Sequence, residues 1–279
     1  MNLQAMLKSG KSRLEEANIT DAAADAWELL EYVCDINKNY FYMHPDENVT
    51  EETVEKYFSL VEKRAAHVPV QQLTGYAYFM GLKLLVNEHV LIPRFDTEVL
   101  VEQVLKRIKG GERILDMCTG SGCILLSLLH ERPDVSGTGA DISAEALKIA
   151  RKNAENLGIK PEFVQSDLFS HILEKYDIIV SNPPYIATEV IGVLDPEVRD
   201  HEPLLALDGM EDGLHFYRRI VADADRYLND GGCLCFEIGF DQGEAVSELM
   251  RQAGYRDIKV IRDLSGLDRV VIGGKQNHV

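Results

Sequence analysis

The chain has 279 residues, 46% of them hydrophobic and 27% charged, enough to bury a sizeable core in one large domain or two smaller ones. Its formal net charge of −17 opposes phosphate backbones and argues against direct nucleic-acid binding. Residues 1–10 lack the apolar core of a signal peptide, and no run approaches the roughly 18 apolar residues of a membrane span, so a cytoplasmic protein without a membrane segment is expected.

The first 70 residues carry a helical pattern. Ala26, Trp27, Leu30, Val33 and Cys34 recur at helical spacing, with Trp27 expected in a core. Thr50 ahead of Glu51 and Glu52 predicts a capped helix start, running towards Ala66, with Pro69 ending the region. Residues 71–94 change character: Tyr76, Phe79, Leu82, Leu84 and Val86 among Gly75, Gly81 and Asn87 predict a β-hairpin linker closed by Pro93.

From residue 95 onward, strands and helices alternate. A helix is expected over 96–109, a strand over 113–116, a helix over 124–130, a strand ending at 140–141 and a helix over 143–157 stopped by Gly158. Short strands follow at 162–165 and 176–181, then a helix over 213–228 stopped by Gly231-Gly232, a strand over 233–238 and a helix over 241–253. Two last strands, 256–262 and 268–273, joined at Gly266, predict an antiparallel hairpin at a sheet edge. The fold class is therefore α/β: a Rossmann-like, doubly wound sheet behind a small helical N-terminal domain.

Two stretches carry chemistry. The first is the turn Asp116-Met117-Cys118-Thr119-Gly120-Ser121-Gly122. Gly120 and Gly122 lack Cβ, so a ligand can approach the backbone, and Asp141 at the next strand end can accept both hydroxyls of a ribose. Leu125 stands where a dinucleotide fingerprint would place its third glycine, and no G-x-x-x-x-G-K-[ST] occurs. Asp167, after the strand at 162–165, can accept from an adenine amino group. Adenine and ribose without a phosphate grip point to S-adenosylmethionine as cofactor.

The second stretch is Asn182-Pro183-Pro184-Tyr185, directly after an apolar strand. A named run of this kind arises by chance on the order of 10⁻³ times per chain of this size. The prolines rigidify the loop and leave the Asn182 side-chain oxygen and the Pro183 carbonyl as acceptors with few internal competitors. Together they can grip a planar –NH₂ group, with the Tyr185 ring stacked on the group that carries it. That suits methyl transfer to an unreactive nitrogen.

The five cysteines, Cys34, Cys118, Cys123, Cys233 and Cys235, contain no C-x-x-C pair and no zinc-finger spacing, which fits reduced thiols and no metal site. The acidic run at 208–212 reads as a solvated loop that can cover the site.

Over nearly its whole length the chain resembles the peptide-chain release factor glutamine N5-methyltransferases, the HemK/PrmC family. The matching stretches are Ile92-Pro93-Arg94-Phe95-Asp96-Thr97-Glu98, the turn 116–122, Asp141, Ser166-Asp167-Leu168-Phe169, Asn182-Pro183-Pro184-Tyr185 and His201-Glu202-Pro203. The resemblance implies three parts: residues 1–70 for substrate recognition, 71–94 as the linker and 95–279 as the S-adenosylmethionine-dependent methyltransferase domain. It implies that Cys118, Thr119, Gly120, Ser121 and Gly122 line the methionine part of the cofactor. Asp141 would take the ribose, Asp167 and Leu168 the adenine, and Asn182 would face cofactor and substrate alike. Asn182, Pro183 and Tyr185 would be catalytic, with Pro184 and Arg94 also on the substrate side.

The implied partner is a bacterial release factor, methylated on the glutamine of its Gly-Gly-Gln loop by a monomeric enzyme. The chain departs from the family at Cys118, where glycine is usual, and at Phe95-Asp96, where Pro-Glu is usual. A ribosomal-protein glutamine methyltransferase, an adenine-N6 nucleic-acid methyltransferase and a non-enzymatic binding module are the alternatives. The charge opposes the nucleic-acid reading, and the amide-gripping tetrapeptide opposes the binding module.

Overall fold

A computed structural model of the chain describes residues 1–275, so the last four residues of the expected 95–279 domain lie outside the described residues. The chain opens with helices α1 (Leu3–Glu16), α2 (Ala22–Cys34), α3 (Lys38–Met43), α4 (Glu51–Ala65) and α5 (Val70–Thr74). Thr50 starts α4 as expected: its hydroxyl accepts from the Thr53 N–H at 3.2 Å. Glu51 and Glu52 fill the first turn and Lys63 and Arg64 the last, each sign at the helix end that favours it. Met6, Leu14, Leu29, Leu30, Tyr57 and Val61 form a buried core among these helices. Trp27 lies at its margin, edge-on to Phe41 with ring centroids 5.3 Å apart. Pro69 does not end the helical region. It begins α5, where a missing N–H is harmless and a φ of −56° already suits a helix.

Strands β1 (Tyr76–Phe79) and β2 (Leu82–Leu85) form a two-stranded sheet, turned at Met80 and Gly81, both at positive φ. The main α/β part follows: α6 (Phe95–Leu105), β3 (Arg113–Met117), α7 (Cys123–Glu131), β4 (Ser136–Asp141), α8 (Ala144–Leu157), β5 (Glu162–Gln165) and a 3₁₀ turn at Leu168–His171. Next come β6 (Tyr176–Ser181), α9 (Thr188–Ile191), α10 (Pro196–His201), α11 (Leu204–Leu207), α12 (His215–Tyr227), β7 (Leu228–Glu237), α13 (Gly243–Gln252), β8 (Arg256–Arg262) and β9 (Asp268–Gly274). Met1–Tyr76 with Asp195–His201 form one compact unit, and Ala77–Leu194 with the described chain from Glu202 to Lys275 form the other.

In the first unit Arg64 is almost fully buried. It donates to Asp25 at 2.6 Å and to Glu197 of α10 at 2.5 Å. In the second unit the sheet runs β5-β4-β3-β6-β7-β9-β8. The first five of these strands are parallel, while β9 is antiparallel to both neighbours. The order steps outward from β3 to β5 and then reverses to β6, so the switch point, where such folds bind ligands, lies between β3 and β6.

Alternation along the strands divides the core. Leu115, Ile179, Leu234 and Phe236 face the side covered by α12 and α13, while Ile114, Ile178, Val180 and Cys235 face α6 and α7. The expected β8–β9 edge hairpin forms. One expectation fails: Gly231-Gly232 does not stop a helix. α12 already ends at Tyr227, and the glycines lie inside β7, where Gly231 at φ 75° makes an irregularity in the ladder between Leu228 and Cys233. A Cβ on Gly232 would stand 2.7 Å from the Asp177 carbonyl oxygen. Among the described residues no helix is long and apolar enough to cross a membrane.

Candidate active site

The carboxyl ends of β3, β4, β5 and β6 open into one cleft of about 390 Å³. Its lining includes Cys118, Thr119, Gly120 and Ser121 after β3, Asp141 at the end of β4, Asp167 and Leu168 after β5, and Asn182 and Pro184 after β6. Arg94, ahead of α6, lines it too. The structure thus gathers strand-end residues from Cys118 to Pro184 because parallel strands present all their carboxyl ends to one edge.

The turn after β3 is held by two carboxylates. Asp116 is wholly buried; its Oδ2 accepts from the Thr119 hydroxyl at 2.6 Å and from the Leu125 N–H at 3.3 Å. Its Oδ1 is buried without a hydrogen-bond partner, and burial pushes the carboxyl up to about 7. Asp141 accepts from the Gly120 N–H through Oδ2 and from the Ser143 N–H through Oδ1, each at 2.9 Å. Burial raises it as well. Each Asp141 oxygen keeps a second lone pair, so the fixed carboxylate can still accept two hydroxyls.

The glycines divide their roles. A Cβ on Gly120 would meet nothing within 4 Å, which leaves the open approach expected there. Gly122 does not line the cleft. It stands at φ 82° ahead of α7, where a Cβ would press on Leu126 at 3.1 Å and Ala150 at 3.3 Å, so glycine serves helix packing. Cys118, where glycine is usual in the family, adopts φ 63°, a left-handed conformation that strains a residue with a Cβ. Burial holds Cys118 well above the usual thiol range and pushes Cys123 up to about 12, so neither is a ready thiolate.

At β6 the Ser181 hydroxyl donates to the Met117 carbonyl at 2.7 Å, tying this strand end to β3. The Asn182 amide nitrogen lies 3.5 Å from Thr97 Oγ1 of α6. Pro183 is buried behind the wall that Pro184 presents to the cleft. The Tyr185 ring does not line the cleft; its hydroxyl donates to Glu237 Oε1 at 3.4 Å, at the end of β7. The Tyr185 carbonyl accepts from Gln242 at 3.0 Å.

The run 208–212 is more than a solvated loop. Gly209 is buried, and a Cβ there would stand 2.8 Å from Tyr185 backbone atoms, while Met210 lines the cleft. Arg94 pairs with buried Glu202 at 2.5 Å, joining two stretches singled out in the sequence. Asp167 is exposed and gives one oxygen to Arg219 at 2.9 Å, leaving the other for a ligand.

The cleft fits a nucleoside with a short charged arm. It offers one fixed, half-buried carboxylate at Asp141, apolar walls at Ile142 and Leu168, and open space above Gly120.

Two family models match the chain: the PrmC N-terminal domain over residues 5–75 and the methyltransferase small domain over residues 94–194. The release factor glutamine methyltransferase of Agrobacterium fabrum is 42% identical over 277 residues, covering 96% of each chain. The chain belongs to the release factor glutamine methyltransferase family. Another family member, from Caulobacter vibrioides, is 41% identical over 272 residues, covering 96% of this chain and 94% of that one. A crystal structure of a methyltransferase from Pyrococcus furiosus superposes with a TM-score of 0.57 at 18% identity, covering 77% of this chain and all but 1% of that one, covered to 99%, and shows the shared fold. The resemblance and the Rossmann-like fold read from the sequence are both borne out.

For this family member, sequence reasoning missed two buried polar residues beside the tetrapeptide, Thr97 and Glu237. Thr97 sits inside a stretch that already carried the resemblance. Glu237 ends the strand next to Asn182, with Ser181 opposite Phe236 in the ladder. An acid at that strand end was the available signal.

Proposed function

We propose that this chain transfers a methyl group from S-adenosylmethionine to the side-chain amide nitrogen of a glutamine, the one in the Gly-Gly-Gln loop of bacterial peptide-chain release factors. The observation that supports it most is the meeting, in one cleft, of the Asp141 carboxylate with Asn182 and Pro184 of the tetrapeptide. S-adenosylmethionine, when bound, supplies an electrophilic methyl group. Asp141 would hold its ribose, Asp167 and Leu168 its adenine, and the turn 118–121 its methionine arm.

The substrate nitrogen is a poor nucleophile because its lone pair is delocalised into the amide. Asn182 Oδ1 and the Pro183 carbonyl would accept its two N–H bonds, favouring a pyramidal nitrogen whose lone pair points at the methyl. Tyr185, turned away from the cleft to Glu237, would hold the loop in place instead of packing on the carboxamide, and Arg94, anchored on Glu202, would border the entrance. Catalysis is then mostly alignment, an effect worth roughly 7–11 kcal/mol in well-oriented systems. No strong base is needed before attack, since the nitrogen becomes acidic only as it gains the methyl. The proton then leaves to solvent. Residues 1–70 would recognise the release factor, and 71–94 would link them to the methyltransferase domain.

The test is peptide mass spectrometry after incubation of the protein with S-adenosylmethionine and a bacterial release factor. One added methyl on the Gly-Gly-Gln glutamine side chain is expected. A folded release factor left unmodified while the protein binds S-adenosylmethionine would move the substrate elsewhere, ribosomal proteins first.

A further inference from the structure

Pro183 and Pro184 stiffen the loop after β6, but a proline has no N–H, so neither can tie the loop to its surroundings as a donor. The placement of the loop therefore depends on bonds made to it from elsewhere. One side chain makes such a bond. Gln242, half-buried just ahead of α13, donates from Nε2 to the Tyr185 carbonyl at 3.0 Å and to the Gly213 carbonyl at 3.3 Å. Its Oε1 accepts from the Gly239 N–H at 2.9 Å. A side-chain amide has two N–H donors and one oxygen; here the nitrogen meets two carbonyls and the oxygen meets an N–H, so the partners settle which way the amide points. This one group joins three loops: after β6, ahead of α12 and after β7.

The three loops close on the amide with no room to spare. A Cβ on Gly213 would stand 2.3 Å from the Tyr185 carbonyl oxygen and 2.7 Å from Gln242 Nε2, and one on Gly239 would stand 3.0 Å from Gln242 Oε1. Beyond Tyr185, the Ile186 N–H donates to the Leu207 carbonyl at 3.0 Å, and the Gly209 N–H donates to the Ile186 carbonyl at 2.8 Å. The chain that follows the tetrapeptide is thus held from two sides, and Asn182 and Pro184 reach the cleft from that held end.

We infer that Gln242 is a positioning residue for methyl transfer: by clasping the Tyr185 carbonyl, it sets where Asn182 and the Pro183 carbonyl stand. This role rests on the amide grip proposed for those two acceptors. Gln242 itself does not line the cleft, so it acts through the loop. On the cofactor side, Asp141 and the Gly120 N–H hold each other, so loss of the clasp reaches the rate before it reaches cofactor affinity.

The test uses the full chain, a bacterial release factor and saturating S-adenosylmethionine. Gln242→Glu keeps the shape and the acceptor for Gly239, but it removes both donors and sets a carboxylate oxygen against two carbonyls. It should lower kcat about tenfold or more, since a misplacement of about 1 Å can cost roughly 10²-fold. Calorimetric affinity for S-adenosylmethionine should stay within about threefold of wild type. Gln242→Met, of similar length and without charge, should show the same split, and it decides if Gln242→Glu fails to fold. A residue that only stabilised the fold would lower the melting temperature and leave kcat of the folded enzyme unchanged. A kcat within about twofold of wild type therefore overturns the role, as does a cofactor affinity that falls as far as kcat. An Asn182→Ala variant that keeps its rate would remove the proposed grip itself, whereas a slow Asn182→Ala beside a fast Gln242→Met would sink the clasp alone.

Discussion

Both units bury charge, and they treat it differently. In the helical unit Arg64 meets Asp25 and Glu197 at once, so every buried charge has an opposite partner at 2.6 Å or less. In the sheet unit Asp116 and Glu237 are just as deep, yet each leaves one carboxylate oxygen with no partner, and each is pushed up to about 7. The first pattern stabilises a fold against the desolvation of its charges. The second leaves acceptor capacity unspent, which a fold does not need and a site uses. Left-handed backbone does not follow that division: Asn18, Asp35 and His67 adopt it in the helical unit, as Cys118 does in the cleft wall.

The contrast breaks if the helical cluster proves indifferent to truncation. Arg64→Ala should cost about 3–5 kcal/mol of stability in denaturant unfolding, because it strands Asp25 in the core, whereas Arg64→Met with Asp25→Leu should recover most of it. Next in size is Asn182→Ala. It should transfer methyl at least about 10²-fold more slowly while binding S-adenosylmethionine nearly as wild type does, by loss of orientation. A single-turnover rate within about threefold of wild type would remove the proposed grip.

Asp141→Ala should act on affinity instead, weakening S-adenosylmethionine binding by about tenfold or more in a calorimetric titration, the loss of hydrogen bonds to a charged group. Unchanged affinity would refute its ribose role. The smallest effect sharpens the strain argument. Cys118→Gly should stabilise the fold by about 1 kcal/mol, since glycine adopts φ 63° freely. A thermal melt that shows no gain would mean the surroundings already relieve the cysteine.

Much of the site was legible because its chemistry is written locally. The glycine turn, Asp141 at a strand end and Asn182-Pro183-Pro184-Tyr185 are short runs whose residue types make sense only near a ligand. Helix caps such as Thr50 and Gly158 were equally local, and both ends fell where their chemistry put them. The misreadings occurred where a local rule met a longer-range contact. Gly231-Gly232 resembled a helix stop but is a break within β7, required by the Asp177 carbonyl of the neighbouring strand. Gly122 resembled a ligand-facing glycine but makes room for Leu126 and Ala150. The run 208–212 looked solvated, but Gly209 lies against the Tyr185 backbone.

The sequence by itself determined the fold class, the family and the residue types of the cleft, because hydrophobic period, caps and short motifs are properties of neighbouring residues. Only the tertiary structure decided which buried polar groups meet. Asn182 meets Thr97 of α6, and Tyr185 meets Glu237 at the end of β7, only once the sheet has closed. Hydrogen-bond polarity and a raised carboxyl depend on burial and on neighbours distant in the chain, and no window of sequence contains either.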